Sequence, residues 1–286
     1  MKKYIIPENL GEALEILEKY SGRAKPLAGG TDLVLQIRDG KINPDFLIDL
    51  TRIRELNYIK TQKKLIKIGA LVTHADVVNS KTLRIKAPLL VEACESIGSP
   101  QVRNMGTIVG NIMNASPAAD TAVALMALDA EAIIASRTEK RVEKIESIFV
   151  GPGKTSVKGN ELVIGIRFQQ IDSDQGGGFF KLGKRNSLAI SIVNSAAVIK
   201  IDKSKKIFTD AKIAIGAVAP TPLRAKKAEE MLIGSNISNK NIENAAQAAM
   251  KEAFPISDIR SSAEYRKEMI KIAVKQVISK ALEAIK

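Results

Sequence analysis

The sequence predicts an α+β protein: two small α+β units followed by a C-terminal α/β domain in which helices cover an antiparallel sheet. Three observations carry that expectation. The first 50 or so residues combine a helical apolar stripe with short apolar runs bounded by glycine. From about 53 to 170, hairpin-like alternation is interrupted by helical stretches. Beyond 188, two long apolar runs precede three segments of helical periodicity.

In the first unit, Leu10, Ala13, Leu14 and Leu17 share one face behind Pro7, and Gly22 follows, so 8–20 reads as an amphipathic helix. Residues 25–28 read as a strand running into Gly29-Gly30-Thr31-Asp32, and 33–38 as a helix stopped by Gly40. A buried strand at 46–50 completes a βαβ-type unit over roughly 1–52. Residues 57–69 alternate around the polar tip Gln62-Lys63-Lys64 as a hairpin, with helices expected at 88–97 and 118–128 and strands near 130–136 and 161–168. Residues 173–178, ending in three glycines, read as a linker or wide turn, because consecutive glycines maximise backbone freedom. Past it, 188–201 and 206–217 read as long strands joined by a polar turn, and 223–233, 238–253 and 262–285 as helices. The expected division is 1–172, with subdomains of about 1–52 and 53–172, and 178–286.

Composition narrows the chemistry. The chain has 286 residues, 45% of them apolar, enough for a sizeable core and two or three domains. One cysteine, Cys94, permits neither an intrachain disulfide nor a thiolate-held iron–sulfur or zinc site, and one histidine, His74, excludes a histidine-rich metal centre. Redox chemistry here requires a borrowed cofactor. The net charge is +13, but residues 1–150 hold 21 basic and 18 acidic groups against 23 and 13 in 151–286. The excess is scattered through helical patterns, and aromatics are only 4% of the chain, which argues against nucleic-acid binding. No apolar run is long enough to span a membrane and the N-terminus turns polar early, so a cytoplasmic location is expected.

Two segments carry candidate chemistry. In Leu27-Ala28-Gly29-Gly30-Thr31-Asp32-Leu33-Val34, two glycines between a strand and a helix leave backbone N–H groups bare, which suits an anion or an ordinary tight turn. It has neither the ending of a P-loop nor the glycine spacing of a Rossmann turn. The second, Gly106-Thr107-Ile108-Val109-Gly110-Asn111, leads into a run dense in small polar groups. Thr107, Asn111 and Ser116 can donate to phosphate oxygens and Asp120 can accept from a sugar or ribityl hydroxyl; alternatively, the loop's side chains satisfy its own backbone. Two such loops about 80 residues apart suggest a long ligand with a central pyrophosphate, the shape of FAD.

Over essentially its whole length the sequence resembles the FAD-binding subunits of the xanthine dehydrogenase and carbon monoxide dehydrogenase type. The likeness runs through Tyr4-Ile5-Ile6-Pro7, the 28–33 segment, Ile97-Gly98-Ser99-Pro100-Gln101-Val102-Arg103-Asn104 and 107–120. It implies a p-cresol methylhydroxylase-type FAD domain of two subdomains, with 27–34 and 107–111 holding the pyrophosphate. It further implies Asp120 as an acidic FAD ligand, Lys181 as a basic residue beside the flavin, and Ile97 and Val163 as apolar flavin-side contacts. Partners implied are a molybdopterin-binding large subunit and a 2Fe-2S small subunit, as a dimer of heterotrimers, with NAD or another oxidant as acceptor. One position departs from the family: Val109 stands where its Thr-x-Gly-Gly-Asn motif has a glycine. Either Val109 has ordinary backbone, or the loop is displaced.

Other residues read as structural. His74 is expected to cap or pack a helix start, and Cys94 to fill core. Phe179-Phe180 suits core packing or a ring over the flavin, and Lys184-Arg185-Asn186 a solvated turn or a cation near the flavin. Two further functions stay open at this point: a stand-alone flavin oxidase of the same fold, and a basic nucleic-acid-binding module.

Overall fold

The computed structural model describes residues 3–285. The first unit is β1 (Lys3–Ile5), α1 (Leu10–Lys19), β2 (Ala24–Leu27), α2 (Leu33–Arg38) and β3 (Phe46–Asp49), with an all-parallel sheet ordered β1-β3-β2. Asn9 caps α1 by accepting from the Glu12 N–H, and Ala13, Leu14 and Leu17 are buried beneath it. The expected βαβ arrangement is present.

The second unit begins with the hairpin β4 (Ile59–Gln62) and β5 (Leu65–Gly69). Six helices follow: α3 (His74–Asn79), α4 (Lys81–Lys86), α5 (Pro88–Glu95), α6 (Pro100–Met105), α7 (Ile108–Asn114) and α8 (Asp120–Ala127). Then come β6 (Glu131–Ala135), β7 (Lys140–Lys144), α9 (Ile145–Ile148), the small pair β8 (Phe149–Gly151) and β9 (Lys154–Thr155), and β10 (Leu162–Gln169). The antiparallel sheet is ordered β4-β5-β10-β6-β7. Every residue of α8 is buried, because it is wedged between this unit and the next.

The C-terminal unit is a four-stranded antiparallel sheet, β11 (Gln175–Leu182), β12 (Val193–Asp202), β13 (Ile207–Gly216) and β14 (Leu223–Arg224). Helices α10 (Lys226–Leu232), α11 (Asn239–Glu252) and α12 (Ala263–Glu283) follow it. Ala196, Val198 and Ala214 join the core of the first two units, while Ala197, Ile199, Ile213 and Ile215 pack with the helices. A sheet covered on both faces explains why these strands read as nearly continuous apolar runs.

One expectation needs correcting. The glycines at 176–178 are not a loose linker; they lie inside β11, paired along its length with β12. A Cβ on Gly176 would stand 1.8 Å from the Ala281 carbonyl oxygen, and one on Gly178 2.5 Å from that of Val277. These glycines let α12 lie directly on the strand.

Candidate functional site

The two glycine loops meet. Strand β2 delivers Ala28 and Gly29 against the end of α6, where a Cβ on Gly29 would fall 1.9 Å from the Met105 carbonyl oxygen and 3.0 Å from Gly106 Cα. Only glycine permits that approach. Gly30 then turns the chain with φ +70°, a region side chains with a Cβ disfavour, and α2 starts. On the other side, His74 N–H donates to the Gly106 carbonyl and Ile108 N–H to that of Val72, so the second loop is strapped to the start of α3.

What each loop presents is backbone. Among the described residues, the N–H groups of Gly30, Thr31, Asp32 and Leu33 donate to no protein acceptor. Nor do those of Thr107 and Val109, whereas Gly110 N–H is taken by Thr107 Oγ1 (3.0 Å) as the cap of α7. Val109 sits in the first turn of α7 with ordinary helical backbone and its side chain in the core. Losing the expected glycine therefore changes neither the loop's path nor its free donor. Ile108 is also fully buried and its N–H is used, so it supports the loop from below.

Side chains tie the loops together. Asn114 Nδ2 donates to Asp32 Oδ1 (3.1 Å) and Gln36 Nε2 donates to Asn114 Oδ1 (3.0 Å), linking α2 to α7. Thr121 Oγ1 donates to Asn111 Oδ1 (2.7 Å), which leaves the Asn111 NH2 group directed elsewhere, with no protein acceptor among the described residues. Ser116, by contrast, accepts from the N–H of Ala118 and serves its own turn. A cleft of about 470 Å³ opens beside the loops, lined by Ala28, Gly29, Thr73, Met105 and Thr107 and by the cation Arg54.

Asp120 and Lys181 come together in a second cluster. Lys181 Nζ donates to Asp120 Oδ2 (2.7 Å) and to the Ser96 carbonyl (2.9 Å), while Ser191 Oγ and Asn194 Nδ2 each donate to Asp120 Oδ1 at 2.6 Å. Asp120 is buried, and its carboxylate joins α8 to β11 and β12. Gly216 makes room for the Asn194 amide, since a Cβ there would lie 2.2 Å from Asn194 Oδ1. Ile97 is half-buried just ahead of α6, its carbonyl accepting from Arg103. Val163 is buried on β10, in the core of the first two units.

His74 is buried at the first position of α3, behind a Thr73–Asp76 capping box, and packs on Gly106. Burial, with the nearby Arg103 charge, lowers its pKa to about 4, so the ring is neutral at neutral pH. Burial pushes the Cys94 thiol well up, with Asp120 and Glu95 adding to it, which fits a core filler. Phe179 lies in the first core and Phe180 packs against the second. Lys184 and Arg185 sit on an exposed loop.

Residues 1–168 match the family model of the FAD-binding domain in molybdopterin dehydrogenase, and 178–281 that of the CO dehydrogenase flavoprotein C-terminal domain. The chain belongs to the FAD-binding subunits of the xanthine dehydrogenase and carbon monoxide dehydrogenase type. It is 36% identical over 269 residues to the glyceraldehyde dehydrogenase medium chain of Sulfolobus acidocaldarius, covering 94% of each chain. It is 32% identical over 287 residues to the nicotinate dehydrogenase FAD-subunit of Eubacterium barkeri, covering 99% and 97%. Among solved structures, a chain of carbon monoxide dehydrogenase from Hydrogenophaga pseudoflava superposes with a TM-score of 0.95 at 30% identity over 99% of this chain and 97% of that one. The protein is thus a flavoprotein oxidoreductase subunit of the molybdenum hydroxylase class, with the two-subdomain FAD-binding fold expected. No helix among the described residues is long and apolar enough to cross a membrane.

Sequence reading missed Ser191, Asn194 and Arg54. A signal existed for Asn194: an amide within the apolar-rich stretch 188–201, where a polar side chain that meets a core needs a partner. Arg54, on a 3-10 turn, carried none.

Proposed function

We propose that this chain holds one FAD across the joined glycine loops and passes electrons between a partner's iron–sulfur clusters and a soluble acceptor. The observation that carries this reading is the pair of locked loops whose backbone N–H groups lack protein acceptors. Fixed N–H dipoles suit a pyrophosphate, which needs several donors and no protein carboxylate nearby that outcompetes them. Gly30, Thr31 and Leu33 would serve one phosphate and Thr107, Val109 and the Asn111 amide the other, with Arg54 adding positive charge from the cleft. The single carboxylate in the first loop, Asp32, is turned toward Asn114.

Bound there, FAD would supply the chemistry of collecting single electrons and releasing them in pairs. The protein's own residues position and shield. Asp120 and Lys181 fix the junction of the FAD-binding unit with the C-terminal sheet, so that Ile97 and the end of β11 hold one geometry. No side chain is required as nucleophile or general base. By analogy with relatives named as medium chains or FAD-subunits, the partners would be a molybdopterin-binding large subunit and a 2Fe-2S small subunit, arranged as a dimer of heterotrimers.

The test is Gly30→Val. At φ +70° a β-branched residue is strained by about 1–2 kcal/mol, and its side chain would meet Val34 and Leu27. Flavin absorbance per chain should fall at least tenfold while the circular dichroism spectrum stays that of the wild type. Equal flavin content would remove this loop from the cofactor site.

A further inference from the structure

A buried ion pair is a poor source of stability, because apolar residues of the same volume often do as well or better. The Asp120 cluster keeps one all the same and adds two further polar groups to it. Ser191 is 1% exposed and Asn194 0%, and both donate to Asp120 Oδ1 while Lys181 donates to Oδ2. The Asn194 amide is oriented at a cost: with Nδ2 on Asp120, its own Oδ1 is buried and finds no donor among the described residues. Orphaned buried acceptors are rare, and this one exists because a donor is kept on the carboxylate.

Lys181 shows what the carboxylate is held for. Its ammonium has three protons; Asp120 Oδ2 and the Ser96 carbonyl accept two, and the last has no acceptor among the described residues. The side chain is 13% exposed, so a cation with one unused donor stands mostly sheltered from solvent. It adjoins the second glycine loop, since Thr121, next along α8 from Asp120, donates to Asn111 Oδ1. The Arg54 cleft shares no residue with this cluster and offers the amides of Asn57 and Asn104, which suit the hydrogen-bonding edge of a purine. The ammonium suits the other end of the ligand. An isoalloxazine that gains two electrons takes up one proton and keeps a negative charge along its N1 and C2-carbonyl edge.

We infer that Ser191 and Asn194 are positioning residues: acting through Asp120, they hold the Lys181 ammonium toward the flavin and set how readily the flavin is reduced. The inference rests on the proposed binding of FAD across the glycine loops. The two neutral donors offset part of the carboxylate's charge without adding a cation, so less of the ammonium's field is cancelled at the ligand. They also fill Oδ1, which keeps the carboxylate from turning and drawing Lys181 with it. Both effects have one sign: losing a donor makes the reduced flavin less stable.

The test loads the full-length chain with FAD and reduces it stepwise with dithionite beside a reference redox dye. The ratio of reduced to oxidised flavin is read at a fixed dye ratio, together with the melting temperature. In Ser191→Ala and Asn194→Ala the flavin ratio should fall roughly threefold or more, the effect of one hydrogen bond to a charged group. Lys181→Gln should lower it further, and Ser191→Thr, which keeps the hydroxyl, should bring it back toward wild type. A merely structural role would lower the melting temperature and leave the ratio unmoved. A flavin-loaded Ser191→Ala or Asn194→Ala at the wild-type ratio therefore overturns the inference and leaves FAD binding standing, as does an unshifted Lys181→Gln. A wild-type chain that binds no added FAD overturns the proposed function, and this inference with it.

Discussion

The glycine-loop corner and the Asp120 cluster are both built from small polar residues beside short helices, yet their hydrogen-bond accounts run in opposite directions. At the loops, donors outnumber acceptors: N–H groups of both loops and the Asn111 amide find no protein partner among the described residues. At Asp120, one carboxylate receives Lys181, Ser191 and Asn194 across the junction of two units. A surplus of fixed donors is the property of a surface made to receive an anion, and a filled acceptor in the interior is the property of a joint. The sequence likeness assigns Asp120 and Gly30 to one ligand; in the structure the first is a buried acceptor and the second a turn beside free donors.

Asp120→Ala breaks that comparison hardest. Removing the carboxylate leaves the half-buried Lys181 ammonium without its countercharge and the buried Ser191 and Asn194 donors without their acceptor, which should destabilise the flavin-free chain by about 3 kcal/mol in urea unfolding. A flavin-free variant as stable as wild type, losing only FAD retention, would move Asp120 to the receiving side.

His74 gives the next largest effect. Its folded pKa, about 4, lies below the ordinary histidine value of 6.5, so the folded state binds fewer protons between those values. Stability is therefore complete above about pH 6.5 and declines as pH falls toward 4, by roughly 3 kcal/mol over that window. Unfolding free energies measured from pH 7 to 4 should show this slope, and His74→Phe should flatten it. A slope that survives the substitution assigns the pH dependence to other groups.

Thr107→Val is the mildest and the sharpest. It removes the cap on Gly110 N–H, costing about 1 kcal/mol of stability, while flavin retention falls severalfold as the first turn of α7 loosens. A stability loss above about 3 kcal/mol would class Thr107 with the joint.

How much of this the sequence disclosed depended on range. The helix Leu33–Arg38 was legible to the residue because a glycine turn precedes it and Gly40 follows, and α12 was legible because its apolar period is long. Helices α6 and α7 were not, since six or seven residues give too little periodicity; their caps, Ser99 and Thr107, were the available signal. The meeting of Gly29 with Met105, and of Asp120 with Ser191 and Asn194, lies between residues more than 70 positions apart, where local pattern is silent. The three glycines of β11 were misread for the same reason. The quality Gly176 and Gly178 supply is closeness to a helix far along the chain, and conformational freedom is the local property that resembles it.

That closeness has a consequence for biosynthesis. Strand β11 is an edge of its sheet, and its glycine face fits no cover except α12, which begins only at Ala263. Until those residues have left the ribosome, the strand stands with one flank and one face open, the state in which edges pair with the wrong chain. The C-terminal unit therefore closes late, and a nascent chain stalled before Ala263 is the form of this protein most in need of a chaperone.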